Sequence, residues 1–277
     1  MFFDTHAHLT LSKGLSIDDQ LENAKNAGVS YILDPGLYAD DLQPRLAKLG
    51  EKKNVFLGAA IAPHHHKRYI DNQELLQSDL DRMKKLITTT NATKKKIIAI
   101  SEIGYEFFHF SDHYDWQKKI FDCQLDLAID LDLPVFLHLR NGSQNGSFES
   151  AYQWAQELIK EKNGKVRGAV HCFSENYENA KKFLDLGFYI SFSGIVTFKK
   201  SDELREVALK MPLEKMLSET DAPYLAPHPY RGKENQSAYV TLVNKQLAEV
   251  RGMQEEDLGK TLTENAVNLL QLEKDSL

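Results

Sequence analysis

Cysteine is scarce in this sequence, and long apolar runs are missing from it. The chain of 277 residues has two cysteines, Cys123 and Cys172, too few for the disulfide framework of a small secreted protein. No stretch approaches the ~20 consecutive apolar residues that a membrane-spanning helix needs. The opening residues, MFFDTHAHL, lack the basic segment and long apolar run of a signal peptide. The sequence therefore predicts a cytoplasmic protein.

An excess of positive charge is also missing. The formal net charge is −6, so the protein as a whole does not attract nucleic acid, and any basic surface must be local. Apolar residues make up 42% of the chain and charged residues 27%, which is ordinary for a globular protein. The length is sufficient for one large core, and no low-complexity linker or internal repeat divides it. We therefore predict one domain over residues 1–277.

Short apolar segments alternate with amphipathic segments along the chain. Eight of the apolar segments predict strands that are covered on both faces: Phe2–His6, Tyr31–Pro35, Val55–Ile61, Ile97–Glu102, Pro134–His138, Val166–His171, Phe188–Ser193 and Lys215–Asp221. Eight strand–helix pairs in a chain near ~250 residues predict an α/β fold of the TIM (β/α)8 barrel type. An open doubly wound sheet fits the same alternation. Against it, no GxGxxG or P-loop motif follows any strand.

Capping residues predict where several helices begin and end. Ser16 and Ser174 precede amphipathic segments as N-caps, and Gly28 and Gly187 stand where two helices should end. The segment Glu255–Leu272 predicts a closing helix.

Residues of metal-ligand type stand at the ends of the predicted strands. His6 and His8 flank one alanine, and residues i and i+2 of an extended strand point to the same side, so both imidazoles can face one ion. Any one such histidine is more often structural than a ligand. Because charged residues rarely end apolar strands unless they are paired or coordinated, the repeated pattern favours ligands. Six residues could hold two ions: His6, His8, Glu102, His138, His171 and Asp221.

Six stretches of the chain resemble the TatD family of metal-dependent deoxyribonucleases, a branch of the amidohydrolase-like barrels. They are DTHAHL at 4–9, SEIGYEFF at 101–108, VFLHLRN at 135–141, HCFSEN at 171–176, GFYISFSGIVTFK at 187–199 and ETDAPYLAPHPYRGKENQSAYV at 219–240. The resemblance implies that the six residues above bind two divalent ions. It also implies that Glu102 bridges the ions and that Asp221 is the general base.

Two places depart from the family pattern. The loop after the third strand usually reads Gly-x-His-Pro-His, but Ala62 replaces its first histidine while His64 remains. The replaced histidine is expected to contact substrate or to support the metal ligands, so its loss bears on substrate handling more than on metal binding, and His64 is expected to contact substrate. Ser101 replaces a usual glycine, and Tyr105-Glu106 stands where Leu-Asp is common, so Glu106 keeps the negative charge on a longer arm.

Basic and aromatic residues near the strand ends could bind nucleic acid. Arginine and lysine bind phosphate through charge-assisted hydrogen bonds, and aromatic rings stack on unpaired bases. Exposed lysine and arginine are also the norm on any surface. The substrate-binding residues that we predict are His64, Arg140, Lys199, Tyr224, Arg231 and Lys233.

The pattern predicts a hydrolase that cleaves DNA phosphodiesters with metal-activated water, acting on single strands or ends. Histidine and carboxylate ligands suit Zn²⁺ or Mn²⁺, carboxylates also suit Mg²⁺, and the choice stays open. Two alternatives remain. The same site could hydrolyse a small ester, lactone or amide, or an aminoacyl ester on tRNA, because fold alone does not decide function. The chain could also be a scaffold that has lost activity, although the intact ligand set argues against it. The sequence does not indicate the oligomeric state.

Overall fold

The computed structural model describes residues 1–110, 112–142 and 150–272. Eight strands follow one another in chain order in a single sheet: β1 Phe2–Asp4, β2 Val29–Asp34, β3 Val55–Ala59, β4 Ile97–Glu106, β5 Val135–Arg140, β6 Gly168–Val170, β7 Tyr189–Phe192 and β8 Met216–Ser218. Each matches one of the eight strands predicted from the sequence. The fold is a TIM (β/α)8 barrel, which confirms the predicted class.

Helices alternate with the strands. Within the described residues they are α1 Ile17–Asn26, α2 Leu42–Leu49, α3 Gln73–Asn91, α4 Tyr114–Asp130, α5 Ala151–Glu161, α6 Tyr177–Asp185, α7 Asp202–Lys210, α8 Val240–Arg251 and α9 Glu255–Leu270. None of the helices in these ranges is both long enough and apolar enough to cross a bilayer.

The helix termini follow the predicted capping chemistry with one exception. The Ser16 side chain accepts a hydrogen bond from the Asp19 backbone N–H, as an N-cap does. Gly28 and Gly187 adopt φ values of +83° and +85° just after α1 and α6, where a side chain would be strained. The N-cap predicted at Ser174 is wrong, because α6 begins at Tyr177 and Asn176 caps it by accepting from the Asn179 N–H.

The chain divides into two compact units, and the single domain over residues 1–277 stays a prediction. The first unit comprises Met1–Asp34 and Val170–Leu277. In it, β1 pairs with β2 and β7 with β8, all in parallel register. Beyond the last residue of β1, Ala7 forms a parallel bridge with Ala222. The segment after β1 therefore lies directly beside the segment after β8.

The second unit comprises Pro35–Ala169. Here β3 pairs with β4 and β4 with β5, again in parallel register. Every residue of β3 and β4 is buried, as expected for strands with both faces covered. The Gln124 side chain of α4 donates to the carbonyl of Ile61 and accepts from its N–H, at 2.9 and 2.6 Å. This pair of bonds fixes the loop after β3.

Candidate metal centre

Three of the predicted ligands come together in the first unit. His6 and His8 follow β1, and the Nε2 atoms of their rings lie 3.9 and 3.7 Å from Asp221 Oδ1. One ligand atom from each of these residues lies within 4.8 Å of the other two. Two imidazole nitrogens and one carboxylate oxygen are the donors that Zn²⁺ or Mn²⁺ accepts. The donor set therefore fits a divalent transition-metal ion.

Backbone pairing places these three side chains. The Asp221 N–H donates to the His6 carbonyl at 2.9 Å, and the His8 N–H donates to the Ala222 carbonyl at 2.8 Å. Asp221 itself has a φ of +58°, in the left-handed region that non-glycine residues seldom adopt. A turn of this kind after β8 directs the Asp221 carboxylate toward the two histidines.

A buried carboxylate that the sequence analysis missed holds the same two segments together. Asp4 Oδ1 accepts from the Thr220 N–H at 2.9 Å, and Oδ2 accepts from the Thr220 and Ser237 hydroxyls at 2.6 and 2.5 Å. Burial raises the pKa of Asp4 to about 7, although these hydrogen bonds act in the opposite direction. Its sequence signal was an aspartate at the end of an apolar run, two residues before His6.

His171 is the fourth predicted ligand of the first unit. It follows β6 directly, and its ring stacks on that of His6 with centroids 4.0 Å apart and planes 9° apart. Its Nδ1 lies 3.2 Å from Glu219 Oε1. Glu219 is not among the residues predicted for the site. The Cys172 N–H donates to the same oxygen at 2.7 Å. The SETD sequence at 218–221, with a second carboxylate two residues before Asp221, was the available signal for Glu219.

The second unit brings Glu102 and His138 together with two further residues. His138 Nδ1 lies 3.7 Å from Glu102 Oε2, and its Nε2 lies 3.1 Å from Glu106 Oε2. The His64 ring contacts the same two carboxylates, with Nδ1 4.0 Å from Glu102 Oε1 and Nε2 3.3 Å from Glu106 Oε2. His64 therefore lies beside Glu102, which is a predicted ligand, and beside Glu106, which is not.

Two strands extend past their predicted ends. Glu102 and His138 were placed at the ends of their strands, but β4 continues to Glu106 and β5 to Arg140. Pairing between the two strands continues through Gly104↔His138 to Glu106↔Arg140, which extends both. A register shift between Ser101 and Ile103 falls at Glu102 and marks an irregularity in the ladder there.

Glu106 is a fully buried carboxylate with an unusually complete set of hydrogen bonds. Its Oε1 accepts from the N–H groups of Phe108 and His109, each at 3.0 Å. Burial acts to raise the pKa of Glu106, but the hydrogen bonds from His138 and His64 outweigh it and hold the pKa below its usual range. Glu106 is therefore an anion among histidines.

Five of the six predicted substrate-binding residues are exposed, and the sixth, His64, is half-buried. Tyr224 is 54% exposed, and its ring packs edge-on against His8 at a centroid distance of 6.2 Å. Lys199 is exposed three residues after Val196, which is buried.

Two cations of the loop after β8 lie over aromatic rings. The Arg231 guanidinium carbon lies 4.4 Å from the centroid of Phe198, and Lys233 Nζ lies 5.6 Å from that of Tyr230. In the second unit, the Arg140 guanidinium lies 4.2 Å from the ring of Phe108. Stacking on one face leaves the edge of a guanidinium available to bind phosphate.

Comparisons with known proteins identify the family of this chain. Residues 3–271 match the family model described as TatD related DNase. The metal-dependent hydrolase YabD of Bacillus subtilis is 32% identical over 98% of this chain and 100% of its own length. The metal-dependent hydrolase YcfH of Escherichia coli K12 is 33% identical over 99% of this chain and 97% of its own.

Solved structures show the same fold. The TatD homologue YjjV of Escherichia coli K12 superposes with a TM-score of 0.85 at 26% identity, covering 98% of each chain. A TatD-family hydrolase from Entamoeba histolytica superposes with a TM-score of 0.77 at 20% identity, over 97% of each chain. The chain belongs to the TatD-related DNase family of metal-dependent hydrolases.

Proposed function

We propose that this metal-dependent hydrolase cleaves phosphodiester bonds in DNA, with single strands or strand ends as its substrate. The observation that carries the proposal is the donor group of His6, His8 and Asp221, whose ligand atoms lie within 4.8 Å of one another in a chain of the TatD-related DNase family. A cytoplasmic location stays a prediction from the sequence.

Six residues would hold two divalent ions in this proposal: His6, His8, Glu102, His138, His171 and Asp221. Its support is the family and the position of each residue at or near the carboxyl end of a barrel strand, where barrels of this type carry their catalytic groups. Bound ions would neutralise phosphate charge and lower the pKa of a bound water toward about 7. Nitrogen donors favour Zn²⁺ or Mn²⁺, and Mg²⁺ remains an option for the carboxylates.

The chain's own residues then have separate tasks. Asp221 would accept a proton from the attacking water. The oxygen of that water would bond to phosphorus while the bond from phosphorus to the leaving oxygen breaks. Its carboxylate is 14% exposed, so water can reach it. Glu102 would bridge the two ions, as the family resemblance implies, and its two oxygens lie beside different histidine rings, those of His64 and His138.

Exposed side chains would bind the rest of the substrate. Arg140, Lys199, Arg231 and Lys233 would contact phosphates, and Tyr224 would stack on an unpaired base beside His8. His64 would contact substrate next to Glu102. These contacts would supply the local positive surface that the net charge of −6 does not.

The double variant Arg231→Ala/Lys233→Ala tests the class of substrate. We expect KM for single-stranded DNA to rise at least about tenfold. The logarithm of the DNA association constant falls with the logarithm of the salt concentration, and this slope should become less steep by about 1.4 for two lost phosphate contacts. Turnover of a small ester such as p-nitrophenyl acetate should stay within about twofold, because a small ester does not reach this loop. Steady-state kinetics at several salt concentrations, with and without EDTA, measure both effects.

The matched control for this variant is Lys118→Ala/Lys260→Ala, which removes two exposed cations from α4 and α9. Unchanged DNA cleavage in Arg231→Ala/Lys233→Ala, together with efficient turnover of small esters, would instead favour a hydrolase of small esters, lactones or amides. Cleavage of DNA that persists in EDTA after dialysis would contradict metal dependence.

A further inference from the structure

Two fully buried glutamates outside the proposed ligand set each contact the ring of a proposed ligand. Glu219 and Glu106 are both 0% exposed. Glu219 lies against His171 in the first unit, and Glu106 lies against His138 in the second. Histidines that bind metals nearly always donate their other ring N–H to a carboxylate, carbonyl or water, which fixes both tautomer and orientation.

Glu219 is held rigidly in its position. Its Oε2 accepts from the Ser191 hydroxyl at 2.6 Å, and its Oε1 accepts from the Cys172 N–H at 2.7 Å. The same Oε1 lies 3.2 Å from His171 Nδ1. Both oxygens of Glu219 already act as acceptors, so the hydrogen bond to His171 places the proton on Nδ1.

Glu106 makes the corresponding contact with the opposite ring nitrogen. Backbone N–H groups of Phe108 and His109 fix its Oε1, and its Oε2 lies 3.1 Å from His138 Nε2. The other nitrogen of that ring, Nδ1, faces Glu102 at 3.7 Å. By the same reasoning, the proton of His138 belongs on Nε2.

We propose that Glu219 and Glu106 are positioning residues that select opposite tautomers of the two histidines. His171 carries its proton on Nδ1 and binds metal through Nε2. His138 carries its proton on Nε2 and binds metal through Nδ1. The ligand part of this inference rests on the proposed metal site, whereas the tautomers are properties of the metal-free protein.

The carboxylate of Glu106 faces His138, and aspartate would keep that carboxylate on a side chain one methylene shorter. The longer glutamate side chain also places Oε1 beside the N–H groups of Phe108 and His109, two and three residues later in the chain. The variant Glu106→Asp should therefore retain most of the positioning effect.

Side-chain ¹⁵N NMR of the metal-free, histidine-labelled protein tests the tautomers directly. The resonances of the two rings are identified by their loss in His138→Gln and in His171→Gln. We expect a protonated Nδ1 in His171 and a protonated Nε2 in His138. The reverse tautomer in either ring would overturn the assignment for that ring. The tautomers are read in the wild-type protein, and the two variants serve only to identify the resonances.

Zinc affinity, measured by competition with a chelating dye, tests the positioning role. Glu106→Gln and Glu219→Gln should each weaken Zn²⁺ binding by about 10–100-fold, and Glu106→Asp should recover most of the loss. Glu264→Gln, on the exposed face of α9, is the matched control and should bind like wild type. Folded Gln variants that bind Zn²⁺ at wild-type affinity would overturn the role. Wild-type protein that binds no Zn²⁺, Mn²⁺ or Mg²⁺ would refute the proposed metal site instead, and the tautomers would still be read independently.

Discussion

The variant Asp221→Asn should lower kcat/KM for single-stranded DNA by about 10³-fold, the scale of a lost general base. Asparagine keeps the size of the side chain and the backbone bond from the Asp221 N–H to the His6 carbonyl. Its amide cannot take a proton from water at neutral pH. The loss should appear mainly in kcat, because the group acts on the reacting water rather than on distant parts of the substrate.

Metal content separates the two roles proposed for Asp221. Elemental analysis after dialysis shows whether Asp221→Asn retains its ions. Low activity with full metal content identifies the residue as the base, and low activity with lost metal identifies it mainly as a ligand. Asp257→Asn, an exposed aspartate in the first turn of α9, is the matched control and should keep full activity. Activity within about tenfold of wild type, at unchanged metal content, would exclude Asp221 as the base.

The variant His8→Ala should weaken binding of Mn²⁺ or Zn²⁺ by at least about 10²-fold, because losing a ligand should exceed the 10–100-fold cost of losing a ligand's partner. His8 Nε2 is one of the two nitrogen donors beside Asp221 Oδ1, and alanine supplies no replacement. The backbone bond from residue 8 to the Ala222 carbonyl does not involve the side chain, so the local fold should persist.

Isothermal titration calorimetry of the dialysed protein measures this loss, and circular dichroism checks the fold. His228→Ala is the matched control, since His228 is exposed and its backbone N–H bonds to the Thr197 hydroxyl without using the ring. If His8→Ala binds metal as tightly as His228→Ala, His8 is not a ligand.

The eight strands were predictable because each is a short apolar segment of the kind that is buried on both faces. Val55–Ala59 illustrates this, since every residue in it is buried and the predicted start is correct. The same signal failed at the end of β4. The apolar pattern does not show that pairing with β5 continues past Glu102, since that pairing involves a strand about 35 residues away along the chain. The sequence also did not show that Asn176, and not Ser174, caps α6. The capping residue depends on where the helix begins, since only a side chain next to the first turn can accept from a free N–H.

The grouping of His6 and His8 on one side was predictable, and the hydrogen-bond partners of the proposed ligands were not. The spacing of His6 and His8 predicted that both rings face one side, and both Nε2 atoms do approach Asp221 Oδ1. Nothing in local sequence links Asp4 to Thr220, which are 216 residues apart, or His171 to Glu219, which are 48 apart. Such long-range hydrogen bonds depend on the completed barrel, so residue type and spacing cannot reveal them.

The bonds between Asp4 and the segment after β8 have a consequence for synthesis. Asp4 and Ser237 are 233 residues apart, so a chain emerging from the ribosome carries His6 and His8 long before Asp221 and Ser237 exist. Closing so long a loop costs entropy that only the finished set of contacts can offset. The donor group therefore forms only after synthesis has passed Asp221, and metal capture by all three residues would report that this point has been reached.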